Sequence, residues 1–178
     1  MAIITLNNNS LSSVTALPAA IVTGKVINYY AKENTNSVSV SGSTTTIVQS
    51  PNITPASTSS KFVITATTNW SSTNPNGAIF MYRELSGYND LSPVQSRNGN
   101  FGSTGLVKDL DENPGNNYTM ETWSQTFFDS PSTTSQLNYT LRISAGSGET
   151  VYINRVNADA NYKAVSTISI LELDSWQM

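Results

Sequence analysis

The 178-residue chain contains no histidine and no cysteine, and only 12% of its residues are charged. Without these two residue types it cannot form a Ser-His-Asp or Cys-His catalytic group, and it lacks the usual ligands of zinc and haem. Ser-Lys and Thr nucleophiles need neither residue, but no motif places such a pair together, and no phosphate-binding glycine motif is present. Disulfide bonds are also excluded. We therefore predict a protein that is not an enzyme and uses no cofactor.

Basic residues and long apolar runs are scarce as well. Nine Lys and Arg against twelve Asp and Glu give a net charge of −3, so there is no basic stripe to bind nucleic acid. No apolar run approaches the roughly 20 residues of a membrane-spanning helix. The opening MAIITLNNNSLSS lacks the basic start and sustained apolar core of a secretory signal, so we expect synthesis in the cytoplasm and no membrane partner.

The residues that are present suit one folded domain. Hydrophobic residues make up 38% of the chain, whereas disordered segments combine low hydrophobicity with high net charge. The dominant signal is alternation of apolar and polar residues, which is typical of half-buried antiparallel strands. In LNYTLRIS the apolar face consists of Leu137, Tyr139, Leu141 and Ile143, and in KFVITATTNW it consists of Phe62, Ile64, Ala66 and Trp70.

Further strand candidates are rich in β-branched and aromatic residues and are separated by Gly, Pro, Asn and Ser clusters. They are GKVINYY, TTTIVQS, GAIFMYREL, NYTMETWSQTFFD, ETVYINRV and STISILELD. No segment predicts an amphipathic helix of three turns, and Ser86–Asn117 reads mostly as loop. About eight strands without helices predict an all-β antiparallel β-sandwich, for which a jelly roll is favoured and an immunoglobulin-like sandwich is the alternative.

Two stretches of the chain repeat one design. SPNITPASTSSKFVITA at Ser50–Ala66 and DSPSTTSQLNYTLRISA at Asp129–Ala145 each contain a proline, a Ser/Thr cluster and then an alternating strand. Proline cannot donate to a strand ladder, and Ser and Thr side chains bond back onto turn backbone. We therefore expect each stretch to end one strand and direct the next, at equivalent corners of the two halves of a sandwich.

The N-terminal residues differ from the rest, since they show neither helical nor strand periodicity. We predict an attachment arm at residues 1–26 and a β-sandwich domain at residues 27–178; a frayed terminus or an edge strand is the alternative. The apolar residues of the arm would make the contact with a partner. They are Leu6, Leu11, Val14, Leu17, Pro18, Ile21 and Val22.

One acidic segment has the opening spacing of a calcium-binding loop, with Asp109, Asp111 and Asn113 at its first, third and fifth positions. The sixth position is Pro114 instead of glycine, and the twelfth is Met120 instead of glutamate, so a solvated acidic turn is the better interpretation. Glu121 and Asp129 belong to one predicted strand and could flank a glycosidic cleft. Solvent-facing and capping roles are commoner for such carboxylates, and we favour them.

Aromatic residues offer a sugar-stacking hypothesis. The candidates are Trp70, Trp123, Trp176, Tyr29, Tyr30, Tyr82 and Tyr88. In a β-sandwich, strand aromatics more often pack in the core or at an interface. The loop aromatics Tyr88 and Phe101 are therefore the better candidates for contact with a glycan.

Four motifs in order resemble a family, the small virion proteins of tailed bacteriophages, especially phages of aquatic bacteria. They are ITPASTSSKFVI, TFFDSPSTTSQLNYTLRI, TVYINR and VSTISILELD, and the opening TLNNNSLSSVTALPAAIVTGKV is similar too. The resemblance runs from Met1 to Asp174 and is clearest at Asn52–Ala66 and Phe127–Asp174. It implies a virion surface role for a β-sandwich, often a jelly roll, with no catalytic residues.

The resemblance leaves two functions open. The arm, and the absence of a long fibre shaft, favour a capsid decoration or cement protein on the virion exterior, made in the host cytoplasm and bound to the major capsid protein or another virion protein. The alternative is a tail- or head-fibre tip that binds a host-surface glycan or receptor. A homo-oligomer is expected, with a trimer favoured. A polysaccharide hydrolase is disfavoured because no catalytic site is visible.

Overall fold

The computed structural model describes residues 26–72, 77–85, 91–93, 119–146, 148, 150–157 and 159–174. Within these residues the chain forms ten β-strands and no helix, which confirms the predicted all-β class. The strands are β1 (Val26–Asn34), β2 (Val38–Ser41), β3 (Thr44–Gln49), β4 (Lys61–Ser72), β5 (Gly77–Leu85), β6 (Leu91–Pro93), β7 (Glu121–Asp129), β8 (Leu137–Ala145), β9 (Thr150–Ile153) and β10 (Ser166–Leu173). Val26 is the one residue of the predicted arm that lies among the described residues.

The strands form two antiparallel sheets, which make a β-sandwich. The six-stranded sheet has the order β1-β10-β4-β9-β2 with β7 also paired to β4, and the four-stranded sheet has the order β3-β8-β5-β6. In the six-stranded sheet, Trp70 pairs with Glu121 of β7 on one side and with Ile153 of β9 on the other. β9 therefore continues the line of β10, and β2 continues the line of β1. Each line is one long strand with an interruption.

The core lies between the sheets and matches the alternation of the sequence. Phe62, Ile64 and Ala66 are fully buried, because even-numbered residues of β4 face inward. The four predicted apolar residues of β8, Leu137, Tyr139, Leu141 and Ile143, are 0% exposed. Burial of a large apolar side chain contributes about 1.5–3 kcal/mol, so these faces supply much of the free energy that holds the sheets together.

The two repeated stretches meet each other in the sandwich. Ile53 and Leu137 exchange backbone hydrogen bonds of 2.7 and 2.8 Å. The Ser50 amide donates to the Tyr139 carbonyl at 2.8 Å, and the Tyr139 amide donates to Ser50 Oγ at 3.0 Å. One stretch leads into β4 of the six-stranded sheet and the other into β8 of the four-stranded sheet, so their contact joins a central strand of each.

Two short strands were not predicted. β2 has only the four residues VSVS and pairs with β9, and β6 has three residues within the segment expected to be mostly loop. β6 pairs with the end of β5, where Pro93 lies opposite Tyr82. Strands this short show too little alternation to stand out, so only their pairing reveals them.

Both interruptions of the six-stranded sheet meet at Asn154. This residue is fully buried and has a φ of 56°, in the left-handed region that Asn tolerates better than most residues. Its backbone amide donates to the Asn69 carbonyl of β4 at 2.8 Å, and its carbonyl accepts from the Ala164 amide at 3.0 Å. The loop at residues 154–165 therefore leaves and re-enters the sheet at one anchored point.

The Asn154 side chain completes the junction. Its Nδ2 donates to the Asn34 carbonyl at 2.7 Å and to the Asn36 carbonyl at 3.2 Å, where β1 ends before β2. Its Oδ1 accepts from Ser166 Oγ at 2.7 Å, and Ser166 shares a further 2.9 Å contact with Thr68 Oγ1. All polar groups of this buried residue are therefore paired, as buried polar groups need to be.

We predict that Asn154→Gly lowers the free energy of unfolding by about 2–4 kcal/mol, since buried carbonyls and a hydroxyl lose their partners. Asn154→Ala should cost about 1 kcal/mol more, because its Cβ disfavours positive φ. Urea unfolding followed by circular dichroism measures both. Ser132→Gly is the matched control, since Ser132 has a φ of 53° but is exposed. Wild-type stability in the Asn154→Gly variant would contradict the assigned role.

Candidate functional site

The described residues show no reactive centre. Among them, no group of three or more Asp and Glu side chains lies close enough to hold a metal ion. In the same part of the chain, no helix is long and apolar enough to cross a membrane. The search for function therefore turns to the buried acids and to the surfaces of the two sheets.

The predicted site residues lie outside the described residues. This holds for the acidic candidates Asp109, Asp111 and Asn113, and for the loop aromatics Tyr88 and Phe101. It also holds for the arm contacts, which are Leu6, Leu11, Val14, Leu17, Pro18, Ile21 and Val22. All of them stay predictions.

Glu121 and Asp129 cannot form the glycosidic pair considered from the sequence. They are the first and last residues of β7, and eight residue steps in an extended strand span about 27 Å. The two carboxyl groups of a glycosidase stand about 5–9.5 Å apart. A strand keeps its ends apart, so this pair carries no hydrolytic site.

Asp129 instead joins the two sheets. It lies at the end of β7, and its two carboxylate oxygens accept from Arg83 Nη1 of β5 at 3.0 and 2.9 Å. The buried Tyr139 hydroxyl of β8 donates to Asp129 Oδ2 at 2.8 Å. Burial, and next the Asp129 carboxylate, raise the pKa of Tyr139 far above its ordinary value. The phenol therefore stays a proton donor in the folded protein.

Glu172 has a similar structural role. It is fully buried on the inward side of β10. Its Oε2 accepts from Asn28 Nδ2 at 2.7 Å, and its Oε1 accepts from the Ala56 amide at 2.6 Å. Burial, followed by the Glu172 carboxylate, raises the pKa of Tyr30. The acid thus attaches the turn before β4 to the sheet and has no free oxygen directed at a substrate.

The outside of the six-stranded sheet, called the outer face below, carries an exposed apolar row. Leu171 of β10 pairs with Tyr29 of β1 and with Val63 of β4, and Val63 pairs with Phe128 of β7. These four residues, which we call the apolar row, are neighbours across four strands. Tyr29 is 64% exposed, Phe128 57% and Leu171 36%. The row is large enough to attract another apolar surface.

Next to the apolar row, the outer face carries hydroxyl groups that are already paired. Thr65 Oγ1 and Thr126 Oγ1 lie 2.9 Å apart, as do Thr67 Oγ1 and Ser124 Oγ. Alternation also places Lys61 and Glu33 on this face, near its opposite ends. The middle of the face is therefore polar without being charged, which resembles the charge-depleted centre of a protein interface.

The loop at residues 154–165 forms a raised border at the far end of the outer face, called the ledge below. Asn69 Nδ2 donates to the Val165 carbonyl at 2.8 Å, and Ser71 Oγ donates to the Arg155 carbonyl at 2.9 Å. Both side chains are on the outer face by alternation from the inward Trp70. The ledge adds two exposed apolar residues, Tyr162 at 58% and Val165 at 38% exposure.

The outside of the four-stranded sheet has a different character. The rings of Phe80 and Tyr82 lie 5.9 Å apart. Burial raises the pKa of Tyr82, and the nearby Arg142 opposes this rise. On the same face, Gln49 Nε2 donates to Glu84 Oε2 at 3.1 Å and to an asparagine carbonyl oxygen at 3.0 Å. Aromatic rings beside a few polar groups are the usual composition of a small-ligand site.

The predicted sugar-stacking platform is wrong for its described tryptophans. Trp70 and Trp123 belong to the core, with 2% and 8% exposure. Tyr29 and Tyr82 lie on the outsides of different sheets, and Tyr30 packs against the core. Trp176 and Tyr88 lie outside the described residues. Alternation sends neighbouring aromatics to opposite faces, so their number in the sequence does not make a platform.

A polar cleft runs along one edge of the sandwich, between β1 and β3. It has a volume of about 390 Å³ and is lined by residues 32–36 and 46–49. Asn34 Nδ2 crosses between the two strands and donates to the Ile47 carbonyl. The lining carries one lysine and one glutamate, so the cleft has no strong preference for a charged ligand.

Sequence reasoning missed the apolar row, although the signal was present. STISILELD is apolar on both faces, since Ile168 and Ile170 face the core while Leu171 and Leu173 alternate with them. Phe127 and Phe128 are likewise adjacent, one buried and one exposed. A strand that is apolar on both faces in a sheet with one covered face indicates a second partner.

The chain matches no protein-family model and no curated protein. Among solved structures it is similar to VP2 of infectious bursal disease virus in a subviral particle, with TM-score 0.42, 10% identity, and coverage of 91% of this chain and 42% of that chain. It is also similar to the T13 particle of that virus, with TM-score 0.41, 9% identity, and coverage of 89% and 41%.

The chain thus spans less than half the length of these proteins. Such distant similarity assigns no function. The two structures come from infectious bursal disease virus and not from a tailed bacteriophage, so the predicted phage relationship stays a prediction.

The buried tyrosine generates a pH prediction. The raised pKa of Tyr139 keeps it protonated in the folded state, while an unfolded tyrosine ionises near pH 10. Stability from this group is therefore complete below pH 10 and falls above it, by about 1.4 kcal/mol per pH unit. Unfolding free energies between pH 8 and 11 should fall less steeply for Tyr139→Phe than for wild type.

The control for this prediction is Tyr29→Phe, which changes a tyrosine that is 64% exposed and should keep the wild-type slope. At neutral pH, Tyr139→Phe should cost about 1–3 kcal/mol, because Asp129 loses a buried donor. Equal slopes for wild type and Tyr139→Phe would contradict the assignment.

Proposed function

We propose that the protein is a non-enzymatic structural protein of a bacteriophage virion, most specifically a decoration or cement protein on the capsid exterior. Its partner would be the major capsid protein or another virion protein. The observation that carries the proposal is the outer face, which exposes an apolar row beside hydroxyl groups and few charges. A surface of this kind is suited to binding protein.

The buried acids support a binding function over a reaction. Asp129 is occupied by Arg83 and Tyr139, and Glu172 by Asn28 and Ala56. Each carboxylate is placed where it fastens one part of the sandwich to another. A catalytic acid or base needs instead to reach a substrate from a cleft.

The strand order supports the finer prediction of a jelly roll over an immunoglobulin-like sandwich. With the interrupted strands counted as one, the sheets read β1/β2-β9/β10-β4-β7 and β3-β8-β5-β6. The chain changes sheet after β2, β3, β4, β6, β7 and β8. Two four-stranded layers connected in this way are what a double Greek-key jelly roll requires, and that architecture suits a coat component.

In this proposal, residues 1–26 attach the domain to the capsid. Deleting residues 1–25 should abolish co-sedimentation with capsids, because the apolar arm residues are lost, while the domain keeps its all-β circular dichroism. A variant with Asn7, Asn8 and Asn9 changed to serine is the matched control and should still bind, since it keeps those apolar residues. Retained binding by the deletion variant would refute the arm assignment. Gold labelling of intact particles should mark the head surface.

The second candidate is a fibre-tip module that binds a host-surface glycan. The observation that favours it is the Phe80 and Tyr82 pair beside the polar groups of the four-stranded sheet. In that case free protein should bind a glycan array and lower phage adsorption, and Tyr82→Ala should weaken both while Tyr29→Ala should not. Labelling at a fibre tip would favour this candidate. The homotrimer expected from the resemblance remains a separate prediction.

A further inference from the structure

In place of the trimer expected from the resemblance, we propose that two copies of this chain pair through the outer face, related by a two-fold axis that lies in the face and runs across its strands. The ledge of each copy then rests on the apolar row of the other. This pairing concerns the contact between copies, and it holds whether or not the protein binds a capsid.

The first argument is the distribution of exposed apolar residues. Of the six large hydrophobic residues that are exposed in the described part of the chain, Val26, Tyr29, Phe128 and Leu171 lie in or beside the apolar row, and Tyr162 and Val165 lie on the ledge. These two groups occupy opposite ends of one face. From Val63 in the row to Asn69 under the ledge the distance along β4 is about 20 Å.

The second argument is self-complementarity. A two-fold axis across the strands exchanges the two ends of the face, so the apolar row of one copy meets the ledge of the other, and the reverse holds at the other end. Every isologous contact is made twice in this way. An axis parallel to the strands would place ledge against ledge, and the two raised loops would hold the faces apart.

The third argument concerns the hydroxyl groups between the two ends. The two-fold axis places these rows opposite each other. Thr65 and Thr126 are already paired, as are Thr67 and Ser124. Their burial therefore orphans few hydrogen-bonding groups, which is the main cost of covering a polar surface.

The size of the face is sufficient for a pair. Four strand positions at about 4.8 Å and four rows at about 6.8 Å give about 500 Å² per copy, or about 1,000 Å² in total before the ledges are added. A specific interface needs about 1,000 Å² in total. Stacked sheets pack about 10 Å apart, a gap that side chains of the row and a single ledge can fill.

The test is sedimentation equilibrium of the full chain with charge variants at the two ends. Wild type should be a dimer at micromolar concentration. Leu171→Lys and Tyr162→Glu should each raise the dimer Kd at least about tenfold, since each puts an unpaired charge in the interface. The double variant should recover to within about threefold of wild type, because the new charges face each other across the axis.

The double variant is decisive because its two positions are about 20 Å apart within one chain, so rescue requires a second copy. Thr46→Glu is the control, since it adds a charge on the outside of the other sheet, where Thr46 pairs with Arg142, and it should leave the dimer intact. Circular dichroism checks that each variant is folded. A wild-type monomer, a trimer, a dimer unaffected by the single changes, or a double variant without rescue would each overturn the pairing.

Discussion

The six-stranded sheet depends on one buried amide. Asn154 lies where two long strands are both broken, and it supplies the hydrogen bonds that an unbroken ladder would otherwise provide. A backbone interruption inside a sheet leaves carbonyl and amide groups without partners, and each such group is costly when water is excluded. Asn meets the requirement because it donates, accepts and tolerates positive φ. The rest of the sheet can then keep a regular register on both sides of the break.

Away from this junction, the interior is closed by acids used as fasteners. Asp129 connects the sheets through Arg83 and Tyr139, and Glu172 holds the turn that precedes β4. These contacts are polar and directional, so they select one arrangement of two apolar layers that could otherwise slide. With the polar groups of the core satisfied internally, the chemistry left for other molecules is on the outside of the sheets.

The sequence predicted the parts of this fold that follow from local alternation. LNYTLRIS and KFVITATTNW have the inward faces expected of them, because a pleated strand obeys its period of two wherever it is. Which strands pair is a property of distant residues, so the breaks at Asn36 and Asn154 and the short β2 left no local signal. Glu172 reads as an ordinary solvent-facing acid until the turn at Ala56 is seen to cover it.

The candidate surfaces divide in the same way. The buried positions of Trp70 and Trp123 agree with the general preference for core aromatics, whereas the apolar row needed the register of four strands to become visible. The candidates from the arm and from the long segment after β5 lie in parts of the chain that the structure does not describe, so their roles rest on composition and resemblance alone.

The ledge has a consequence for how this scaffold can change. Its two ends are pinned by Asn154 and by the bridge between Arg155 and Lys163, so the sheets do not sense what the chain does between them. Insertions of new peptide at residues 157–161 would then alter the outward contour without altering the framework. That separation allows one scaffold to present many different epitopes.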